Sequence, residues 1–287
     1  MCKLYSDEQY YFELDNGIKI PAVGFGTANT REDICETAVR NAIQIGYRLI
    51  DTASQYRNEK PVGTAVNGLG VSREEVFISS KLWNDVFDYD STMSAFEESL
   101  RWINTDYLDI LLIHWPNPAA FRSYGFEKRN AAIWKAMEDL YSDGRVKVIG
   151  VSNFKINHLI ALEKTANFKP LINQICVHPG NYPSEVIDYC KNNNILVQAY
   201  CPLGAGRVLE NEIISKIADK YEKTVAQVCL RWHFQNGIIP LPKSVTPARM
   251  QSNLEIMDFE LSEDDMGVLN ELNLDIKILP EPDEADF

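Results

Sequence analysis

The chain has 287 residues, 45% hydrophobic and 24% charged, which is the composition of a folded protein with a sizeable core and not of a disordered chain. Acidic residues outnumber basic ones by 41 to 28, and the resulting formal charge of −13 repels nucleic-acid phosphates and anionic membranes. The six cysteines form no C-x-x-C pair and no zinc-type spacing with histidine. The start, MCKLYSDEQYY, lacks an apolar signal core, and no stretch reaches the roughly 18 apolar residues of a membrane span. The expectation is a reduced, cytoplasmic, monomeric protein that acts on a small molecule, with no nucleic acid and no membrane among its partners.

In chain order, a hairpin comes first, over residues 8–20. Its arms are 11–14 and 18–20, and Asp15-Asn16-Gly17 supplies an Asn-Gly pair suited to the positive φ angles of a tight turn. From Val23 onward, short apolar runs alternate with helical stretches. The runs are 23–27, 48–52, 76–83, 108–115, 146–153, 171–177, 195–203 and 238–244. Sequences such as ILLIHW and VKVIGVSN are apolar over most of their length, as parallel strands covered on both faces are. Ile34, Ala38, Ala42 and Ile45 mark one face of the first helix. Met93, Phe96, Leu100 and Ile103 do so for the third, and Ile133, Met137 and Leu140 for the fourth, with Gly144 placed to end it. Pro183 is placed to open the sixth. Eight such units over residues 23–257, with no linker between them, predict an α/β fold: a single (β/α)8 TIM barrel, its bottom capped by the hairpin. Residues 258–287 read as a C-terminal helix and a solvated acidic tail. An open doubly wound sheet fits less well, because no G-x-G-x-x-G follows the first strand.

In such a barrel, chemistry belongs to the carboxyl ends of the strands. Those ends carry Asp51, Lys81, His114, Ser152-Asn153, Gln174, Tyr200 and Lys243-Ser244. Singly, each has a plain reading: Asp51 caps a helix, Lys81 snorkels, His114 is a satisfied core imidazole, and Tyr56 is a loop contact. Together they fit proton donation to a carbonyl. A tyrosine of pKa about 10 is a poor acid at neutral pH, and a nearby ammonium lowers that value. A carboxylate keeps the lysine charged despite burial, and a neutral imidazole can hold the carbonyl oxygen. No side chain supplies a hydride, so a redox cofactor is required. Trp83 and Trp115, next to these positions, are expected to line an apolar pocket for the substrate's carbon chain. Two other readings stand beside this one. Lys81 could be the nucleophile of a Schiff-base aldolase, although Asp51 would raise its pKa. The chain could also be a cofactor-sensing regulatory or binding protein on the same fold.

Across essentially its whole length the sequence resembles the aldo-keto reductases, especially microbial members of broad specificity. The matching segments are GYRLIDTASQYRNE at 46–59, ISSKLW at 78–83, LLIHWP at 111–116, GVSNF at 150–154, NQICVHP at 173–179, AYCPLG at 199–204 and LPKSVTPARMQSN at 241–253. The resemblance implies an NADPH-dependent reduction of aldehydes and ketones to alcohols. Asp51, Tyr56, Lys81 and His114 match the family's catalytic tetrad, with Tyr56 as proton donor. Ser152, Asn153 and Gln174 match the residues that bind the nicotinamide carboxamide, and Tyr200 the aromatic stacked on its ring. Lys243, Ser244 and Arg249 match the grip on the 2′-phosphate of NADPH, and Asn253 the adenine contact. Gly26, Thr27, Pro202, Leu203, Gly204, Val245 and Thr246 match further cofactor-binding positions. Cys201, Ser252 and Ala28 depart from the family pattern. Ala28, in place of a bulky aromatic, implies a more open pocket at the first loop, and the short 117–130 loop and the short tail after Leu272 match parts that shape the substrate pocket in the family.

Overall fold

The computed structural model describes residues 10–287 in full and, of the residues before them, only the backbone of 3–4. A small antiparallel sheet opens the chain. In it β1 (Lys3–Leu4) pairs with β2 (Tyr10–Glu13), and β2 pairs with β3 (Lys19–Pro21). The Asn16-Gly17 turn joins β2 to β3, with Gly17 at φ +81°. The hairpin stands where the sequence places it; residues 8 and 9 of that range lie outside the described residues. β1 is an addition, since two residues carry no readable periodicity.

Eight strands follow: β4 (Phe25–Gly26), β5 (Leu49–Asp51), β6 (Phe77–Leu82), β7 (Leu108–Ile113), β8 (Val146–Ser152), β9 (Ile172–Cys176), β10 (Leu196–Tyr200) and β11 (Ile238–Pro240). Each lies inside one of the eight apolar runs. They form one sheet in which every strand neighbours its successor, and all the pairings are parallel. The sheet closes on itself. The N–H groups of Gly24 and Gly26 donate to the carbonyls of Pro240 and Pro242 at 3.0 and 3.1 Å. Proline lacks an N–H but keeps its carbonyl, which is all this seam asks of it.

Helices α1 (Glu32–Ile45), α2 (Glu59–Asn67), α3 (Tyr89–Ile103), α4 (Phe126–Ser142), α5 (Ile156–Glu163) and α6 (Ser184–Asn192) each follow one strand. Two helices, α7 (Glu212–Lys220) and α8 (Val225–Gln235), follow β10, one more than the regular repeat predicts. Then come α9 (Pro247–Leu254) and the C-terminal α10 (Glu263–Glu271). α3 buries Phe96, Leu100 and Ile103, and α4 buries Ile133, Met137 and Leu140, as their spacing requires. The first helix departs from its predicted face. It buries Cys35, Ala38, Val39, Ala42 and Ile43, while Ile34 is 40% exposed. A stripe read at i, i+4 fits two adjacent helix faces, and the packed one here centres on Val39. A Cβ at Gly63 would sit 2.0 Å from the Ile103 carbonyl oxygen, so α2 and α3 meet there backbone to backbone.

The hairpin fills the barrel's lower end: Phe12, Leu14 and Ile20 pack against Leu49, Ile110, Leu112, Val148, Ile172 and Ile239. With one end plugged by apolar side chains, polar groups can collect only at the other. The acidic tail faces solvent at Glu281, Glu284 and Asp286, as expected, and it is also anchored. Asp283 accepts hydrogen bonds from Asn117 and His158, Ala285 is buried, and Phe287 packs on two tryptophans. Composition alone reads this segment as solvent-facing because its long-range partners are invisible in it.

Candidate active site

The four residues at the ends of β5, β6 and β7 converge. Asp51 closes β5, Lys81 is the penultimate residue of β6, and His114 follows β7 directly. Tyr56 ends a 3₁₀ turn, Ser54–Tyr56, held to β6 by Ser54 Oγ donating to the Lys81 carbonyl at 3.0 Å. That bond seats the phenol ring over the lysine, whose Nζ lies 5.0 Å from the ring centroid. The Tyr56 and His114 rings meet edge to face, with centroids 5.8 Å apart.

Lys81 is buried, and Nζ donates to Asp51 Oδ2 at 2.7 Å and to the Thr52 carbonyl at 2.8 Å. Burial alone would push its pKa down, but the charges of Asp51 and Tyr56 and the hydrogen bonds to them carry it above the ordinary value. A lysine held charged in this way is a poor Schiff-base nucleophile, and the aldolase reading loses its main requirement. The imidazole of His114 goes the other way. Burial and then the Lys81 ammonium hold its pKa well below the usual range, so the ring is neutral. Its Nδ1 is buried and has no hydrogen-bond partner among the described residues.

The phenol departs from the sequence-based expectation. Lys81 and the hydrogen bond to it lower the Tyr56 pKa, but burial outweighs them and the net direction is upward. Sequence reveals the cation and hides the depth of burial. At neutral pH the group is therefore a protonated phenol with a fixed ammonium beside it, which offsets part of the cost that burial places on the phenolate.

A second layer of amides stands behind this cluster. Gln174 Nε2 donates to Asp51 Oδ1 at 2.9 Å and to Gln198 Oε1 at 3.0 Å. Ser152 Oγ donates to the Gln174 carbonyl at 2.8 Å. Asn153, at φ +63°, donates from Nδ2 to the His114 carbonyl at 2.9 Å, and its Oδ1 accepts from the Tyr200 hydroxyl at 2.7 Å. These residues thus tie strand ends β7 to β10 together. Sequence reasoning missed Gln198, which shares a strand face with Tyr200 by period two, and Asn58. The Asn58 side chain accepts from Thr52 Oγ1 at 2.7 Å and donates to the Thr27 carbonyl at 3.0 Å, clamping the ends of β4 and β5. Of the two tryptophans, Trp83 lies edge-on to His114 at 5.0 Å, while Trp115 is almost wholly buried.

Beyond β11, Ser244 and Asn253 are buried, and Lys243, Val245, Thr246 and Arg249 are exposed around the N-terminal end of α9. Among the described residues, no carboxylate pairs with Lys243 or Arg249, in a chain where acids are in excess. Two cations left uncommitted at a helix N-terminus are a donor set suited to a phosphate. Gly26 and Thr27 lie at the β4 end, and Pro202, Leu203 and Gly204 follow β10 on the same side of the barrel. Cys201, at φ +48°, starts that turn.

A plugged barrel whose open end holds a charged Asp–Lys pair, a protonated phenol and a neutral imidazole defines a class of proton-transfer site built for a polarised oxygen. The Aldo/keto reductase family model matches residues 22–274. The chain belongs to this family. It is 44% identical over 276 residues to a glyoxal reductase of Bacillus subtilis (strain 168), covering 96% of this chain and 97% of that one. It is 37% identical over 274 residues to the methylglyoxal reductase DkgA of Escherichia coli (strain K12), covering 95% and 96%. A crystal structure of a Gox0644 mutant in complex with NADPH superposes with a TM-score of 0.90 at 38% identity, covering 98% of this chain and all of that one.

Proposed function

We propose that this protein reduces aldehydes and ketones, small dicarbonyls such as glyoxal and methylglyoxal among them, to alcohols with NADPH. The observation that carries the reading is the protonated Tyr56 phenol set against a buried, carboxylate-paired Lys81 and beside a neutral His114. Lys243, Ser244 and Arg249 would take the 2′-phosphate, with Asn253 at the adenine. Ser152, Asn153 and Gln174 would orient the nicotinamide carboxamide, and Tyr200 would pack on the ring. The bound dinucleotide supplies the hydride.

The chain's own residues do the rest. His114, neutral, donates a hydrogen bond to the substrate oxygen and positions it against the Tyr56 hydroxyl. Tyr56 delivers its proton to that oxygen as negative charge develops on it. Lys81, fixed by Asp51 and the Thr52 carbonyl, stabilises the phenolate left behind without having to reorganise. Trp83, held against His114, offers an apolar wall to the substrate's carbon chain.

The test follows the near-ultraviolet absorbance of NADPH during incubation with glyoxal, methylglyoxal, aromatic aldehydes and keto esters, with NADH as the control. Carbonyl-dependent oxidation of NADPH is expected, faster than that of NADH. Binding of NADPH with no oxidation against any carbonyl would overturn the proposal in favour of a cofactor sensor.

A further inference from the structure

Gln198 is the third residue of β10 and wholly buried, and its neighbours across the sheet are Gln174 on β9 and Ile239 on β11. Its Oε1 accepts from Gln174 Nε2 at 3.0 Å, while its own Nε2 is buried with no hydrogen-bond partner among the described residues. An unmatched buried donor costs stability, so the exchange gains the fold nothing: one N–H of Gln174 is satisfied and the N–H₂ of Gln198 is left over. What Gln198 does change is the freedom of Gln174.

An amide side chain carries two N–H donors and one acceptor oxygen. Gln174 Nε2 donates to Asp51 Oδ1 at 2.9 Å as well as to Gln198 Oε1. Asp51 stands on β5, four strands from β9 in either direction around the closed sheet, so the Gln174 side chain crosses the barrel interior between acceptors on β5 and β10. The carboxylate only accepts, and it therefore decides which end of the amide is nitrogen. Gln198 takes the second N–H and stops the group from turning about the first bond. Ser152 Oγ, donating to the Gln174 carbonyl at 2.8 Å, holds the backbone. Oε1 is then the one polar atom of that side chain left to meet a ligand.

We infer that Gln198 is a positioning residue for the cofactor: by taking the second N–H of Gln174 it locks that amide so that Oε1 alone is offered, as an acceptor for the carboxamide N–H₂ of the nicotinamide. The inference rests on the NADPH-dependent reading above. Gln198 touches neither cofactor nor reacting atoms; it acts through Gln174. Without it, one N–H of Gln174 is left over and the amide swings about its bond to Asp51. The acceptor is then no longer held in one place, and recognition of the carboxamide N–H₂ weakens while the rest of the cofactor binds as before.

The test compares the wild type with Gln198→Met and Gln198→Glu. Methionine keeps the length and lacks a strong acceptor, whereas glutamate keeps an oxygen at the same reach whether ionised or protonated. Binding of NADP+ and of its 3-acetylpyridine analogue, in which a methyl group replaces the carboxamide N–H₂, is titrated by quenching of tryptophan emission with no substrate present. The ratio of the two dissociation constants cancels the contacts both cofactors share and any general loosening of the fold. The wild type should favour NADP+, Gln198→Met should shrink that preference at least threefold, and Gln198→Glu should keep it near the wild type. Gln198→Met exchanges one unmatched buried donor for another and is expected to fold. Should it fail to, Gln198→Thr, too short to reach Gln174, carries the test. A wild type without the preference, an unchanged preference in Gln198→Met, or a Gln198→Glu that loses it equally would overturn the inference. A wild type that shows the preference but oxidises NADPH against no carbonyl would instead refute the reductase reading, a distinguishable failure.

Discussion

Replacing Asp51 by Asn removes one charge from a pair whose two members are both buried. Asn can turn its oxygen toward Lys81 Nζ only by turning its amide N–H₂ toward Gln174 Nε2, itself a donor to Asp51 and to Gln198. The bonds survive only if the Gln174 and Gln198 amides both turn over, which Gln198 Nε2, without a partner among the described residues, permits, so the charge is what must be lost. Removing one partner of a buried ion pair costs about 3–5 kcal/mol. With an unfolding entropy of about 2.1 cal/mol/K per residue, this chain should melt about 5–8 °C lower. The lysine then lacks the carboxylate that offsets its burial and gives up its proton at neutral pH. Tyr56 loses its stabilising cation, and kcat should fall by roughly 10²–10⁴. The loss should shrink toward acid pH as the lysine recharges. Adding Lys81→Met removes the amine left buried without its carboxylate, so the double variant should be more stable than the two single losses added together imply, while activity stays low. Calorimetric melting and pH–rate profiles of the four proteins read both effects. Additive losses of stability, or an Asp51→Asn enzyme with the wild-type pH profile, would refute the coupling.

Arg249→Ala should weaken NADPH binding by roughly 10- to 150-fold and leave NADH binding nearly unchanged, as titration of cofactor fluorescence would show; equal weakening of both would remove Arg249 from the 2′-phosphate. Stability should fall on acidification. Burial holds His233 at a pKa of about 4 despite its contacts with the Val177 and Cys229 carbonyls. The unfolded chain therefore takes up that proton first. The contribution is complete above pH about 6.5 and is lost as the pH falls toward 4, by roughly 3 kcal/mol. Urea midpoints at pH 7.5 and 4.5 check this, and an equal or higher midpoint at the lower pH would contradict it.

Much of the fold was legible because parallel strands covered on both faces have to be apolar end to end, and each of the eight runs holds its strand. The candidate site was legible for the complementary reason: Asp51, Lys81 and His114 interrupt or end those runs, where packing alone gives no cause for charge. The extra helix α7 has a periodicity like that of its neighbours and could not be told from them by counting. Ile34 shows the limit of reading a helix face from spacing, because two adjacent faces shared the same apolar residues. The anchoring of the tail was not legible because Asp283 and Phe287 find their partners in Asn117, His158 and Trp83, all more than 100 residues away in sequence. The direction of the Tyr56 pKa needed a depth of burial, and no motif encodes that.

The most direct measurement is single-turnover oxidation of bound NADPH by methylglyoxal in Tyr56→Phe, with cofactor affinity measured on the same preparation. Phenylalanine keeps the ring against His114 and removes only the hydroxyl. Affinity should be unchanged and the rate should drop by roughly 10²–10⁴. A rate within tenfold of the wild type, with the cofactor bound, would mean that the proton comes from another group.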